Sequence, residues 1–133
     1  MRAGLLLAVA LVAAIAACGT SAATKLRPIH FGLTGGNIRG YTTAIKANGV
    51  VTATIRGQDG VRRTRIAVKR VRKLGREIRQ AHLTDRICAG SNPDVASRFI
   101  RLGNRRVTVR GGCDPRFERV WSILAKVARR LHG

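Results

Sequence analysis

Ser97-Arg98-Phe99-Ile100-Arg101-Leu102-Gly103-Asn104-Arg105-Arg106-Val107-Thr108-Val109-Arg110 is the stretch from which the fold can be worked outward. Two alternating segments, 97–102 and 105–110, flank Gly103-Asn104, the kind of dipeptide that turns a β-hairpin. A two-residue turn sets the register, so Ile100 opposes Val107 and Arg101 opposes Arg106. Leu102 and Val109 then share a face with Ile100 and Val107. Phe99, Arg101, Arg106 and Arg110 take the other. The hairpin therefore has one face that needs a cover and one that carries charge.

Two helices are available as that cover. Asp114 suits an N-cap and Pro115 the first helical position. Phe117, Val120, Trp121, Leu124, Val127 and Leu131 follow as a continuous apolar stripe, and Arg129-Arg130 near the end suit the helix dipole. Phe117 and Trp121 read as core. The spacing of Ala67, Val71, Leu74, Ile78 and Ala81 predicts an earlier helix over 67–81. Its other side carries Lys69, Arg70, Arg72, Lys73, Arg76 and Arg79 with Glu77 as the sole acid, so neighbouring bases repel.

Upstream, Ile29, Phe31 and Leu33 alternate with His30 and Gly32 as a half-buried strand does. Residues 41–47 and 50–56 read as two more strands joined at Asn48-Gly49, and 61–66 as a further short one after Gln58-Asp59-Gly60. Residues 82–96 read as a loop holding Cys88 and the turn Ser91-Asn92-Pro93-Asp94. The expected fold class is α+β: a small antiparallel sheet with two helices packed on one face, in the order strands, helix, hairpin, helix. The opposite face would stay open to water.

The chain starts with Met1-Arg2 and an apolar run from Leu5 to Ala17, the layout of a secretory signal and short for a membrane span of ~20 residues. Ile15-Ala16-Ala17-Cys18 resembles the bacterial lipobox. That resemblance implies removal of a signal peptide at 1–17, attachment of lipid such as palmitate to Cys18, and residence on the extracytoplasmic side of the cell membrane. A cut after Ala23 in Ser21-Ala22-Ala23 stays open as the alternative, with Cys18 lost. Residues 18–25 then form a lipid-anchored tether, whose eight residues reach at most ~28 Å. Residues 26–133 make a single basic domain.

Charge is the most unusual quantity. Lys and Arg total 26 against 6 Asp and Glu, for a net +20, and loss of Arg2 with the signal leaves +19. In a cytosolic protein this would point to nucleic acid. For an exported chain no nucleic acid is expected, and the anions at hand are lipid headgroups, wall polymers and acidic proteins. The candidate anion- or partner-binding residues are Phe99, Arg101, Arg106 and Arg110 on the open sheet face, with Lys69, Arg72, Lys73 and Arg76 on the first helix.

With Cys18 assigned to lipid, Cys88 and Cys113 are an even pair in an oxidising compartment and read as one disulfide. His30, His82 and His132 have no ligand-like spacing with them, so no metal or other cofactor is expected. The six acids form no evident catalytic pair, and no nucleophile elbow occurs. Gly32, Gly35, Gly36 and Gly40 lack the Lys-Ser/Thr ending of a P-loop and suit a turn or bulge. A catalytic activity is not expected.

Ile29-His30-Phe31-Gly32-Leu33-Thr34-Gly35-Gly36, the following hairpin and helix, Pro93-Asp94 leading into Phe99–Val109, and the Asp114-Pro115 helix start together resemble the emfourin family. These are small proteinaceous inhibitors of thermolysin-like metallopeptidases. The resemblance covers about residues 29–131 and implies a similar order of strands and helices. This chain departs from the family in its strong positive charge, its export signal, its cysteine pair and Arg101 two places after Phe99. No inhibitory residue carries over. Three functions are thus expected to compete: a membrane-anchored, non-catalytic anion or protein binder; a cell-surface peptidase inhibitor; and a structural component of the envelope.

Overall fold

The computed structural model describes residues 25–132. The expected signal at 1–17, Cys18 and all of the expected tether except Lys25 lie outside those residues. In chain order the elements are β1 (Ile29–Thr34), β2 (Tyr41–Ile45), β3 (Val50–Ile55), β4 (Arg62–Arg65), α1 (Val68–Gln80), β5 (Arg86–Ile87), β6 (Ser97–Leu102), β7 (Arg105–Arg110) and α2 (Pro115–His132). The strands form one sheet in the order β4-β3-β2-β1-β6-β7-β5.

The β6–β7 hairpin has the register its turn dictates, Ile100 with Val107 and Arg101 with Arg106. β1 lies antiparallel between β2 and β6, so the meander β1–β4 and the hairpin join edge to edge. At the β2–β3 connection β2 ends at Ile45, earlier than expected, while β3 begins at Val50 as expected. Lys46 N donates to Val50 O and Gly49 N to Lys46 O, leaving a three-residue loop with Gly49 at φ +88°. A left-handed glycine closing such a loop is a common hairpin form. A Cβ at Gly49 would also lie 2.1 Å from Ile66 O, where the chain passes into α1.

The sheet is larger than expected, and it is mixed where an antiparallel one was anticipated. β5 pairs parallel with β7, Arg86 with Val109 and Ile87 with Arg110, in a segment expected to be loop. Two exposed residues have no periodicity to betray a strand. Their position comes from bonds on either side: Thr108 N donates to Asp85 Oδ1, Cys88 N to Arg110 O, and the Cys88–Cys113 disulfide holds the segment to the end of β7. A cross-link spanning 25 residues stabilises by ~3 kcal/mol in the chain-entropy view.

Alternation then sorts the sheet into two faces. Ile29, Phe31, Ile45, Val51, Ala53, Ile100, Leu102, Val107 and Val109 meet Val71, Leu74 and Ile78 of α1 and Phe117, Val120, Leu124 and Val127 of α2 in one buried cluster. Trp121 packs edge-on to Phe31 and stacks on Phe117. Both helices therefore cover the same face, as expected. Arg62 of β4 donates to Leu131 O, tying an edge strand to the last turn of α2. No helix among the described residues is long and apolar enough to cross a membrane.

Candidate functional site

The uncovered face of the sheet carries His30, Gly32 and Thr34 of β1 opposite Arg101, Phe99 and Ser97 of β6. Arg101 and Arg106 are direct neighbours across the hairpin, where like charges oppose each other. Their guanidinium groups part company. That of Arg106 lies 4.0 Å over the ring of Phe99, a cation–π contact. Arg101 turns the other way, its terminal nitrogen 3.1 Å from His30 Nδ1. An arginine can only donate, so Nδ1 accepts and the imidazole proton sits on Nε2. Burial, and then the charge of Arg101, hold the pKa of His30 below its ordinary value and keep it neutral. Arg101 Nε is itself buried without a hydrogen-bond partner. Arg110 Nε donates to Ser97 Oγ at 3.4 Å.

Phe99 does not project as a free contact group. It is 5% exposed, lying against the gap left by Gly32 and beneath Arg106. A Cβ at position 32 would stand 1.9 Å from Tyr41 O, so only glycine fits here, and the bare strand receives the ring. Phe99, Arg106 and the 34–36 turn line a cleft of about 360 Å³ at this end of the sheet.

Lys69, Arg72, Lys73 and Arg76 are exposed on the outer side of α1. With Leu74 and Ile123 as apolar floor, three of them (Lys69, Lys73 and Arg76) also border a groove of about 470 Å³. The helix layer and the uncovered sheet face lie on opposite sides of the molecule. The two sets of candidate residues consequently form two surfaces and do not come together.

Among the described residues only Arg98 and Arg116 have a carboxylate within 4.0 Å, from Glu118 and Asp114 respectively. Arg98 was not singled out from the sequence, yet it is the most engaged cation among the described residues. It pairs with both carboxylate oxygens of Glu118, donates to Gly111 O, and lies 5.3 Å from the Phe117 ring and 5.5 Å from Trp121. The signal was present, because the hairpin register sets Arg98 beside Val109 on the apolar face. The same register sets Arg105 beside Leu102, and Arg105 crosses to donate to Leu83 O.

The expected disulfide between Cys88 and Cys113 is formed, with Cα atoms 5.7 Å apart. Cys18 lies outside the described residues, so its role rests on the sequence. Among the described residues no three His, Cys, Asp or Glu side chains converge. No known family model matches the chain, and no match to a curated protein was found.

Proposed function

We propose that this protein is an extracytoplasmic lipoprotein, anchored through Cys18, whose single basic domain binds an anionic component of the cell envelope without transforming it. The observation that carries the reading is the shortage of internal partners for its cations. The described residues carry 25 Lys and Arg, and only two of these, Arg98 and Arg116, have a carboxylate within ion-pair distance among those residues, so the remaining positive charge has no anionic partner there. The outer side of α1 is the surface best suited to the task. Lys69, Arg72, Lys73 and Arg76 are exposed there at neighbouring positions, whereas Arg101, Arg106 and Arg110 are drawn onto His30, Phe99 and Ser97. Exposed charges of one sign within a Debye length, ~8 Å at physiological salt, act together on a polyanion.

The test is a titration with soluble polyglycerol phosphate, an anionic polymer that needs no membrane. Affinity should fall steeply as salt rises. Reversing Lys69, Arg72, Lys73 and Arg76 to Glu should weaken binding by at least about a hundredfold, taking ~1 kcal/mol per cation. Reversing Arg101 and Arg106 should weaken it less. Affinity indifferent to salt and to both variants would remove the proposal.

A second reading, a cell-surface inhibitor of thermolysin-like metallopeptidases, is favoured by one feature. Two stretches that carry the family resemblance adjoin in space: Asn37 N donates to Asp94 O, and a Cβ at Gly36 would lie 2.6 Å from Ala96 N. Ile38 and Val95 stand 54% and 50% exposed on these joined loops, a protruding apolar pair suited to docking. Inhibition of a thermolysin-like peptidase that disappears in an Ile38→Asp, Val95→Asp double variant would support it. No inhibition at micromolar protein would dismiss it.

A further inference from the structure

A third basic feature is neither the α1 exterior nor the uncovered sheet face. On the helix-covered side, the end of α1 and the β6–β7 hairpin do not close completely, leaving a cleft of about 550 Å³. Its floor is apolar, made by Ile78, Leu83, Ile100, Leu102 and Val107. Its rim is Lys25, Arg27, Arg79 and Arg105, and none of the described residues that line it is acidic. Arg105 is held across one side by its bond to Leu83 O. Volume and lining match a small-molecule site, which is typically ~300–1,000 Å³ and mostly apolar with a few fixed polar groups.

Cations grouped around a greasy floor select an amphiphile rather than a free phosphate, which would leave the floor wet, or a neutral chain, which would leave the charges unanswered. The place of the cleft narrows the choice. Lys25, the first described residue, is part of the rim, and it stands seven positions along the chain from Cys18. That stretch spans at most ~25 Å when extended. We infer that this cleft takes one anionic phospholipid from the bilayer, an acyl chain along Ile78, Leu83 and Leu102 and the phosphate among Lys25, Arg27, Arg79 and Arg105. The inference rests on the lipoprotein reading only for how lipid reaches the site. Bound lipid there would turn the α1 end and the hairpin turn toward the membrane and leave the cations at the start of α1 for other anions.

The experiment uses the full chain reconstituted in phosphatidylcholine vesicles doped with phosphatidylglycerol bearing a photoreactive acyl chain, with adducts mapped by mass spectrometry. Adducts should concentrate on Ile78, Leu83 and Leu102. Reversing the exposed Lys25, Arg27 and Arg79 to Glu should lower their yield by at least about tenfold, at roughly fivefold per cation. The matched reversal of Arg119, Lys126 and Arg130 on α2 carries the same charge change and should retain most of the yield. Equal losses in the two triples would mean that net charge alone attracts lipid and would overturn the cleft while leaving anion binding intact. Equal labelling by photoreactive phosphatidylcholine, or adducts between the cleft and residues 1–17 of the chain itself, would also overturn it. A chain that leaves the vesicles would contradict the lipoprotein reading instead. Dissolved lauroyl lysophosphatidylglycerol should then still protect the cleft amides, and absence of protection would dismiss the site as well.

Discussion

α1 and α2 cover the same face of the sheet but begin under opposite electrostatic conditions. α2 starts at Asp114, 1% exposed, whose Oδ1 accepts from Arg116 N and Phe117 N, and Glu118 follows in its first turn. Its free N–H groups meet oxygen and negative charge, the favourable arrangement at a helix start. α1 starts at Ala67 with no side-chain cap and no acid in the first turn, and Lys69 and Arg70 are placed against the positive end of the dipole. Packing of Val71, Leu74 and Ile78 keeps it helical. One helix is arranged for stability. The other keeps an unfavourable charge pattern that an external anion would relieve, which supports α1 as the binding surface.

The comparison breaks most easily in the core. Phe117→Ala removes a fully buried ring that stacks on Trp121 and should cost ~3–5 kcal/mol in chemical denaturation. If α2 is the anchoring helix, this variant should unfold at markedly lower denaturant while binding polyanion normally wherever it remains folded.

The caps give a smaller but more pointed pair. Asp114→Ala should destabilise by ~1–2 kcal/mol. Ala67→Asp should do the reverse and stabilise by ~0.5–1 kcal/mol, since it adds both a cap and a negative charge at an uncapped start. Ala67→Asp should also weaken polyanion binding, because it supplies internally what the ligand otherwise supplies. Equal responses of the two helices to capping would erase the distinction drawn between them.

The smallest effect concerns the uncovered sheet face. His30 has its folded-state pKa lowered, by burial and then by Arg101, below the value of 6.5 it has when free. The unfolded chain therefore binds the proton more readily, so this contribution to stability is present above about pH 6.5 and is lost as pH falls through the folded-state value. His30→Asn should flatten the decline in melting temperature between neutral pH and pH ~5. An unchanged pH profile would detach His30 from it.

Much of the fold could be read because its signals are local. Gly103-Asn104 with alternating flanks determines the hairpin register, Asp114-Pro115 marks the start of α2, and the stripe of Val71, Leu74 and Ile78 turns α1 inward. What escaped depends on residues far apart in the chain. β5 is two residues long and is placed by Asp85, Cys88 and Cys113. The burial of Phe99 depends on Gly32 in a strand that becomes its neighbour only after folding. The lipid cleft gathers Lys25, Arg79 and Arg105 from three separate segments. Lys69, Arg72, Lys73 and Arg76 are exposed on α1, as the helical spacing of its apolar residues implies, but their separation from the Arg101–Arg106 face by the whole sheet follows only from where the helices pack.

In the proposed reading the compartment decides which anion the α1 surface would meet, and a lipid on Cys18 would decide the compartment. Mass analysis of the protein recovered from fractionated cells tests that directly. A chain in the membrane fraction beginning at Cys18, with the mass of a lipid on its first residue, is the result this account predicts. A soluble cytosolic chain still beginning at Met1 would contradict it.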